Sequence, residues 1–474
     1  FADDPVGYIS DSCDAIWTAP SNDARPTLRT DGLIYWLEFD DSDDTLTVDV
    51  GSAGDYEVLL GTTQACIRYS VTSAGGSVSI GPNEPYPAYN IVAVAIGLFT
   101  AQERAAIFAD FKANGAGATE ITLIAHSQGG TAFRGATTVG DAAVLAPRNA
   151  NDIVIVPATA TDPADLTLIA HGQALDAFFG ATSVGDAAVL APRNADDIVI
   201  VPATATDPAD LTFIAHGQGN DAFLGATTVG DAAVFASLNA DNIVIMPATA
   251  TDPADLTFIA HGQGSLAFRG PTTAGDAAVL APRNADDIVI VPATATDPAD
   301  LTFIAHGQGS RAFYGATTAG DAAVLAPRNA DDIVIVPATA TDPADLTFIA
   351  HGQAIDAFYG ATTAGDAAVL APWSADDIVI VPATATDPAD LTFIAHGQGD
   401  NAFLAATTVG DAAVLAPWDA DDIVIVPATA TDPADLTFIA HGQGSDAFSG
   451  ATTVGDAAVL SPNNSPYIFI VKPG

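Results

Sequence analysis

From residue 120 onward, short apolar runs are broken at regular intervals by clusters of Gly, Asp, Asn and Pro. Residues 210–254 show the arrangement. LTFIAH, AFLGATT, AAVFAS and IVIMPATA are separated by GQGND, VGD, LNADN and TDPAD. Short runs rich in Ile, Val, Phe and Thr are strand material. The breakers supply turns: Gly provides positive φ, Asp and Asn bond their own backbone, and Pro presets φ. Pro after Asp in TDPAD suits a type I turn. Each unit therefore predicts four strands. Runs such as IVIVPA and AAVLAP are apolar at successive positions, so both faces of those strands call for cover.

The units are copies of one another. DPADLT begins at Asp162 and returns at Asp207, Asp252, Asp297, Asp342, Asp387 and Asp432, a period of 45 residues. Eight histidines keep the same phase: His126, His171, His216, His261, His306, His351, His396 and His441. Residues 120–434 hold seven units and 435–474 a slightly shorter eighth. Two all-β architectures accommodate this. Eight four-strand units close into an eight-bladed β-propeller; alternatively, 22-residue half-units stack into an open β-solenoid. The solenoid is the expectation. The two halves of a unit resemble each other, and an open array needs an atypical end, which SPNNSPYIFIVKPG provides in place of APRNADDIVIVPATAT. Sixteen stacked coils would form a rod of roughly 75 Å.

Residues 1–97 differ. LIYWLEF, TLTVDV, YEVLLGT and CIRYSVTS, set between Asp, Gly and Ser clusters, predict a β-sandwich. A helical linker follows over 98–119. Thr100 and Glu103 form a capping box, Ile107, Phe108 and Phe111 share a face, and Asn114-Gly115 ends it.

Charge narrows the partners. Thirteen Lys and Arg against 58 Asp and Glu leave a net charge of −45, which repels nucleic acid and anionic membranes. No run of 18 apolar residues is present, so no transmembrane helix is expected. Cys13 and Cys66 either pair in an extracellular setting or stay reduced.

Candidate chemistry falls in four places. LIAHSQGG, Leu123 to Gly130, resembles the turn on which esterases present a nucleophilic serine. The later copies carry Gly172, Gly217, Gly262, Gly307, Gly352, Gly397 and Gly442 in place of Ser127, and TAFRGATTVGD after it is poor helix material. Ser127 thus reads as part of a structural turn, with a serine hydrolase as a remote alternative. The histidines read as turn braces bonded to backbone; stacked two coils apart they are too distant to share a zinc ion, whose bonds run to about 2.1 Å. Asp40, Asp41, Asp43 and Asp44 form an acidic loop that could take Ca²⁺, and no other cofactor is expected. The fourth place is where the copies differ. The residue after AF reads Arg134, Phe179, Leu224, Arg269, Tyr314, Tyr359, Leu404 and Ser449. A second variable position reads Arg148, Arg193, Leu238, Arg283, Arg328, Trp373, Trp418 and Asn463. Arg, Tyr and Trp anchor binding surfaces, so the first row from Arg134 to Leu404, together with Trp373 and Trp418, is the candidate binding set. A packed core would not tolerate such variety, so the row is expected on a solvent-facing edge or rim.

DPVGYISD (Asp4 to Asp11) and ARPTLRTDGLIYWLEFDDSDDTLTV (Ala24 to Val48) resemble the concanavalin-like, or laminin-G-like, domain of many phage tail-fibre and virion proteins. LFTAQERAAIFADFKANGAG is similar to the helical linkers of such proteins. The resemblance covers about a quarter of the chain. It departs at Asp41, where the family has Gly, and in the stretch SCDAIWTAPSND before ARPTL. It implies a non-enzymatic structural appendage of a phage particle: a fibre, spike or decoration. That implies a homotrimer located in the virion, with other virion proteins and cell-surface glycan as partners. The apolar runs in a soluble chain also ask for covering partners. The alternative is a secreted adhesin or lectin-like binding module.

Overall fold

The computed structural model describes residues 119–473 throughout, and before them the strands between residues 25 and 97 together with Ile107. Seven strands precede the repeat: β1 (Arg25–Arg29), β2 (Gly32–Trp36), β3 (Leu46–Asp49), β4 (Ala53–Thr62), β5 (Ala65–Ala74), β6 (Ser77–Ile80) and β7 (Ile91–Gly97). They pair in the order β1-β2-β7-β4-β5, with β3 and β6 as a separate pair. The face-to-face packing of a sandwich rests on side chains outside the described residues. So do the Asp40–Asp44 cluster, the Cys13 partner of any disulfide, and the linker helix except Ile107, which is helical and buried.

The repeat opens with β8 (Thr119–Ala125). Then come β9 (Phe133–Val139), β10 (Ala142–Pro147), β11 (Asp152–Pro157) and β12 (Thr167–Ala170), which form an antiparallel sheet ordered β9-β10-β11-β12. Six more four-stranded sheets of this kind follow. The DPAD turn before each last strand is a short 3₁₀ segment with a reciprocal cap. Asp207 accepts from the Ala209 N–H at 2.8 Å, and the Asp210 carboxylate accepts the N–H groups of Thr206 and Asp207 at 2.8 and 3.2 Å. Those backbone donors hold the Asp210 carboxyl below the usual carboxylate range. Replacing the capping oxygen by Asp207→Ala should destabilise the protein by about 1 kcal/mol. Urea denaturation of the single variant checks this, and an unchanged midpoint would remove the cap from the account.

The sheets stand around an axis. The strands Phe133–Val139, Phe178–Val184 and their successors are neighbours in turn, and the last, Phe448–Val454, packs against β9. One backbone hydrogen bond crosses each interface, from Ala177 to Arg148 and so on round the ring. The series ends with Ala447 to Trp418 and Ala132 to Asn463, all at 2.9–3.0 Å. Threonine hydroxyls meet across seven of the eight interfaces at 2.6–3.2 Å, as in Thr227 with Thr273 and Thr138 with Thr452. The remaining interface carries Ser183 where other units have threonine. The repeat is an eight-bladed β-propeller.

This corrects the solenoid. Consecutive apolar residues are needed because each blade is covered on both faces by its neighbours. Val189, Ala191, Ile198 and Ile200 pack against Phe223, Phe235 and Val244 of the next blade. The alternate residues Ala188, Leu190, Val199 and Val201 pack against Val144, Ile153 and Ile155 of the previous one. The apolar runs are therefore hidden within one chain, and they no longer call for a trimer. The atypical end has a different cause as well. Its strand Tyr467–Lys472 pairs antiparallel with β8, from Tyr467 opposite Ala125 to Lys472 opposite Glu120. The eighth blade thus takes three strands from the C-terminal end and its outermost strand from the start of the repeat. β5 then pairs in parallel with β8, Ala65 to Arg68 against Thr119 to Thr122, so the N-terminal sheet and the eighth blade form one nine-stranded sheet.

Candidate functional site

The first variable row sits on the innermost strands, next to the axis. In the second blade, Phe178 pairs with Pro192 and Gly180 with Ala191, so Phe179 is the extra residue of a β-bulge. Bulges re-aim side chains, and here the bulge turns the variable residue into a funnel at one mouth of the axial channel. The glycine after it lets the strands converge. A Cβ on Gly180 would lie 2.9 Å from Gly225 Cα, and one on Gly315 would lie 2.7 Å from the Tyr359 carbonyl oxygen. The funnel has a volume of about 520 Å³ and is lined by all eight members of the row, with Arg193, Leu238 and Arg283 from the second variable position.

The expected solvent-facing rim is not what the fold provides. Tyr314, Leu404 and Ser449 are buried; Arg134, Phe179, Leu224, Arg269 and Tyr359 are half-buried, as are Trp373 and Trp418. Variety is tolerated because eight inner strands enclose an open funnel rather than a packed core, so a change of side chain reshapes the funnel without leaving a void in the core.

Arginines and rings interlock around the mouth. Arg134, Arg148 and Arg193 surround the Phe179 ring at 4.7, 5.4 and 4.2 Å from its centre. Arg269, Arg283 and Arg328 surround Tyr314 at 4.0, 5.6 and 4.2 Å. Tyr359 meets Tyr314 edge-on and stacks on Trp373 at 4.3 Å, and Trp418 lies 6.0 Å beyond Trp373. Six of the chain's thirteen Lys and Arg thus gather at one mouth of a strongly acidic protein. Some are neutralised by the residue 28 positions on, which belongs to the next blade: Arg148 by Asp176 at 2.7 Å, Arg193 by Asp221 at 2.5 Å, and Arg328 by Asp356. Arg283 faces the opposite case. The residue 28 positions on is Arg311, and Arg283 Nε instead donates to the Tyr314 hydroxyl at 3.0 Å. Among the described residues, Arg134, Arg269 and Arg283 have no carboxylate partner.

Burial, with the charges of Arg269, Arg148 and Arg193, pushes Arg134 down to about 9. Burial lowers Arg269 as well. At Tyr314, burial acts upward but is outweighed by the Arg283 hydrogen bond and three nearby guanidinium charges, so its hydroxyl lies below the ordinary range. At Tyr359 burial prevails and raises it. The arginines missed in the candidate set, Arg193 and Arg283, carried a readable signal: positions i and i+28 vary together, as Arg with Asp or Leu238 with Leu266.

The other candidates lie elsewhere. Ser127 is exposed with φ of 56°, the left-handed conformation that explains glycine in the other copies. The strand β9 follows it rather than a helix. His126 accepts the Gln128 N–H at Nδ1 and uses Nε2 on the Ser465 carbonyl at 2.9 Å, leaving no ring nitrogen for the serine. All eight histidines are braced this way, at 2.8–3.0 Å to carbonyl oxygens, and each meets the phenylalanine of the following strand edge-on. Among the described residues no group of three His, Cys, Asp or Glu side chains is placed to hold a metal ion. No helix there is long and apolar enough to cross a membrane.

No protein-family profile matches the sequence, and no curated protein matches it significantly. Solved structures do resemble the fold. Virginiamycin B lyase from Staphylococcus aureus, a catalytically inactive variant with quinupristin, superposes with a TM-score of 0.51 at 12% identity, over 75% of this chain and 99% of that one. The computationally designed Ika8 protein does so with a TM-score of 0.55 at 8% identity, over 74% and 99%. At such identities the likeness concerns the fold alone.

Proposed function

We propose that the chain is a non-enzymatic binding module, a rigid ring that receives its ligand in the axial funnel. One observation carries this reading. The units are near-copies, and every member of one variable row, Arg134 to Ser449, lines a single funnel together with Arg193, Leu238 and Arg283 of a second. An exposed turn position varies as well, from Leu175 to Ser445, so it is the meeting of two variable rows in one cavity that supports binding. The functional groups present are guanidinium groups and phenols in mutual contact, which suit recognition and lack the adjacent base that activates a nucleophile. The secreted adhesin or lectin-like module fits this arrangement. The phage-appendage reading rests on residues 4–48, and its extending-rod half falls with the closed ring; a propeller would serve such a particle as a binding head. Arg269→Ala with Tyr314→Ala and Tyr359→Ala should reduce retention on a saccharide array or on target cells at least about tenfold, since such anchors dominate binding. Retention equal to the unmodified protein would remove the funnel as the binding site.

A further inference from the structure

Resting on that reading, we infer that the funnel takes a small organic anion with at least two acidic groups, held by Arg134, Arg269 and Arg283. Three half-buried guanidinium groups share this space without a carboxylate partner, since the Asp221 carboxylate that lines it is taken by Arg193, in a chain where acidic residues outnumber basic ones by 58 to 13. Like charges crowded in a partly desolvated cavity repel one another. The protein has a ready remedy: the position that supplies Asp176, Asp221 and Asp356 elsewhere. Beside Leu238 and Arg283 that position holds Leu266 and Arg311 instead. The unmatched charge is thus built into the repeat rather than imposed by a shortage of acids. Burial first, and then the charges of Arg269, Arg148 and Arg193, lower the proton affinity of Arg134 in this space.

Walls and size select the ligand further. Leu224, Leu404 and the Phe179 and Tyr359 rings line the cavity, and apolar walls strengthen charge-assisted hydrogen bonds to guanidinium forks. The volume of about 520 Å³ suits a small molecule or the end of a chain. Arg134 and Arg269, three blades apart on the ring, feel each other's charge across the funnel, and three positive charges together call for more than one negative charge. A long polyanion is disfavoured, since it would extend beyond the mouth over a chain whose net charge is −45.

The test measures melting of the full chain with citrate as the carboxylate probe and pyrophosphate as the phosphate probe, each against sodium chloride at equal ionic strength. At about 10 mM, one of them should raise Tm by about 3 °C or more beyond the salt control. Which probe does so identifies the acidic group. The R134Q/R269Q variant should lose that shift yet melt no lower than the unmodified protein without probe, because it sheds like-charge repulsion. Should the variant fail to fold, phenylglyoxal labelling of the unmodified protein decides: the probe should slow modification of Arg134 and Arg269 at least about fivefold while exposed Arg311 reacts as before. Shifts equal to salt for both probes, a shift retained in the variant, or unprotected Arg134 would each overturn the assignment. Retention on neutral saccharides that survives R134Q/R269Q but is lost in L404W would also overturn it, while leaving the binding module intact. Loss of all retention in every assay would remove both.

Discussion

Removal of residues 463–474 should leave a chain that no longer melts in one cooperative transition. These residues carry the strand Tyr467–Lys472, which pairs with β8 on one side and with Ala457–Pro462 on the other. Ile468, Phe469, Ile470 and Val471 in it are fully or almost fully buried. Burying four such side chains contributes roughly 6–12 kcal/mol, comparable to the whole stability of a typical domain. The loss is also not local. The same strand completes the apolar layers on both sides of the eighth blade, one with Phe133 and Val154 of the first blade and one with Val414 and Ile423 of the seventh. An open array would lose only its terminal interface, with the inner units melting as before. Calorimetry of the truncated chain separates the two cases. A single transition within a few degrees of the full-length protein would count against ring closure as the main source of cooperativity.

Acidification from pH 7 to 5 should destabilise the ring steeply, ahead of most carboxylate titration. Burial lowers the proton affinity of all eight histidines, opposed by the carbonyl each one meets and, for seven of them, by a neighbouring Asp. Their folded pKa values lie below the unfolded value near 6.5. The unfolded chain therefore binds more protons once pH falls past that value, and stability present above it is lost on the way down. Each group contributes at most about 1.4 kcal/mol per pH unit, and all eight act in the same direction. The braces would also lose their geometry, since a protonated ring cannot accept the N–H of the residue two positions on, such as Gln218 at 3.2 Å from His216 Nδ1. Urea midpoints at half-unit pH steps test this. A midpoint that stays flat between pH 6.5 and 5 would show that the histidines titrate normally in the folded protein.

The turn positions were legible. Pro after Asp predicts a turn at TDPAD and one forms there, but as a 3₁₀ segment whose reciprocal cap between Asp207 and Asp210 only the structure shows. A lone AHSQG could be mistaken for a nucleophile, but seven glycines in its place mark a left-handed turn, and φ is 56° at Ser127 and 67° at Gly172. The funnel was half legible. The row from Arg134 to Ser449 was found because its members differ, but variety was equated with solvent exposure. The bulge at Phe179 cannot be seen in one strand's pattern, since it exists only in the pairing of two.

By itself the sequence determined strands, turns, period and braces, because these depend on contacts within about 45 residues, and each unit carries its own copy. It also showed that both strand faces needed cover. Whether that cover came from stacked coils, sister chains or neighbouring blades was decided only by tertiary structure. The deciding contact lies between β8 and the strand Tyr467–Lys472, 342 positions apart where Ala125 faces Tyr467. No local pattern records such a pairing. Ring closure in turn placed the variable residues around an axis, where arginines from blades far apart in sequence feel one another's charge.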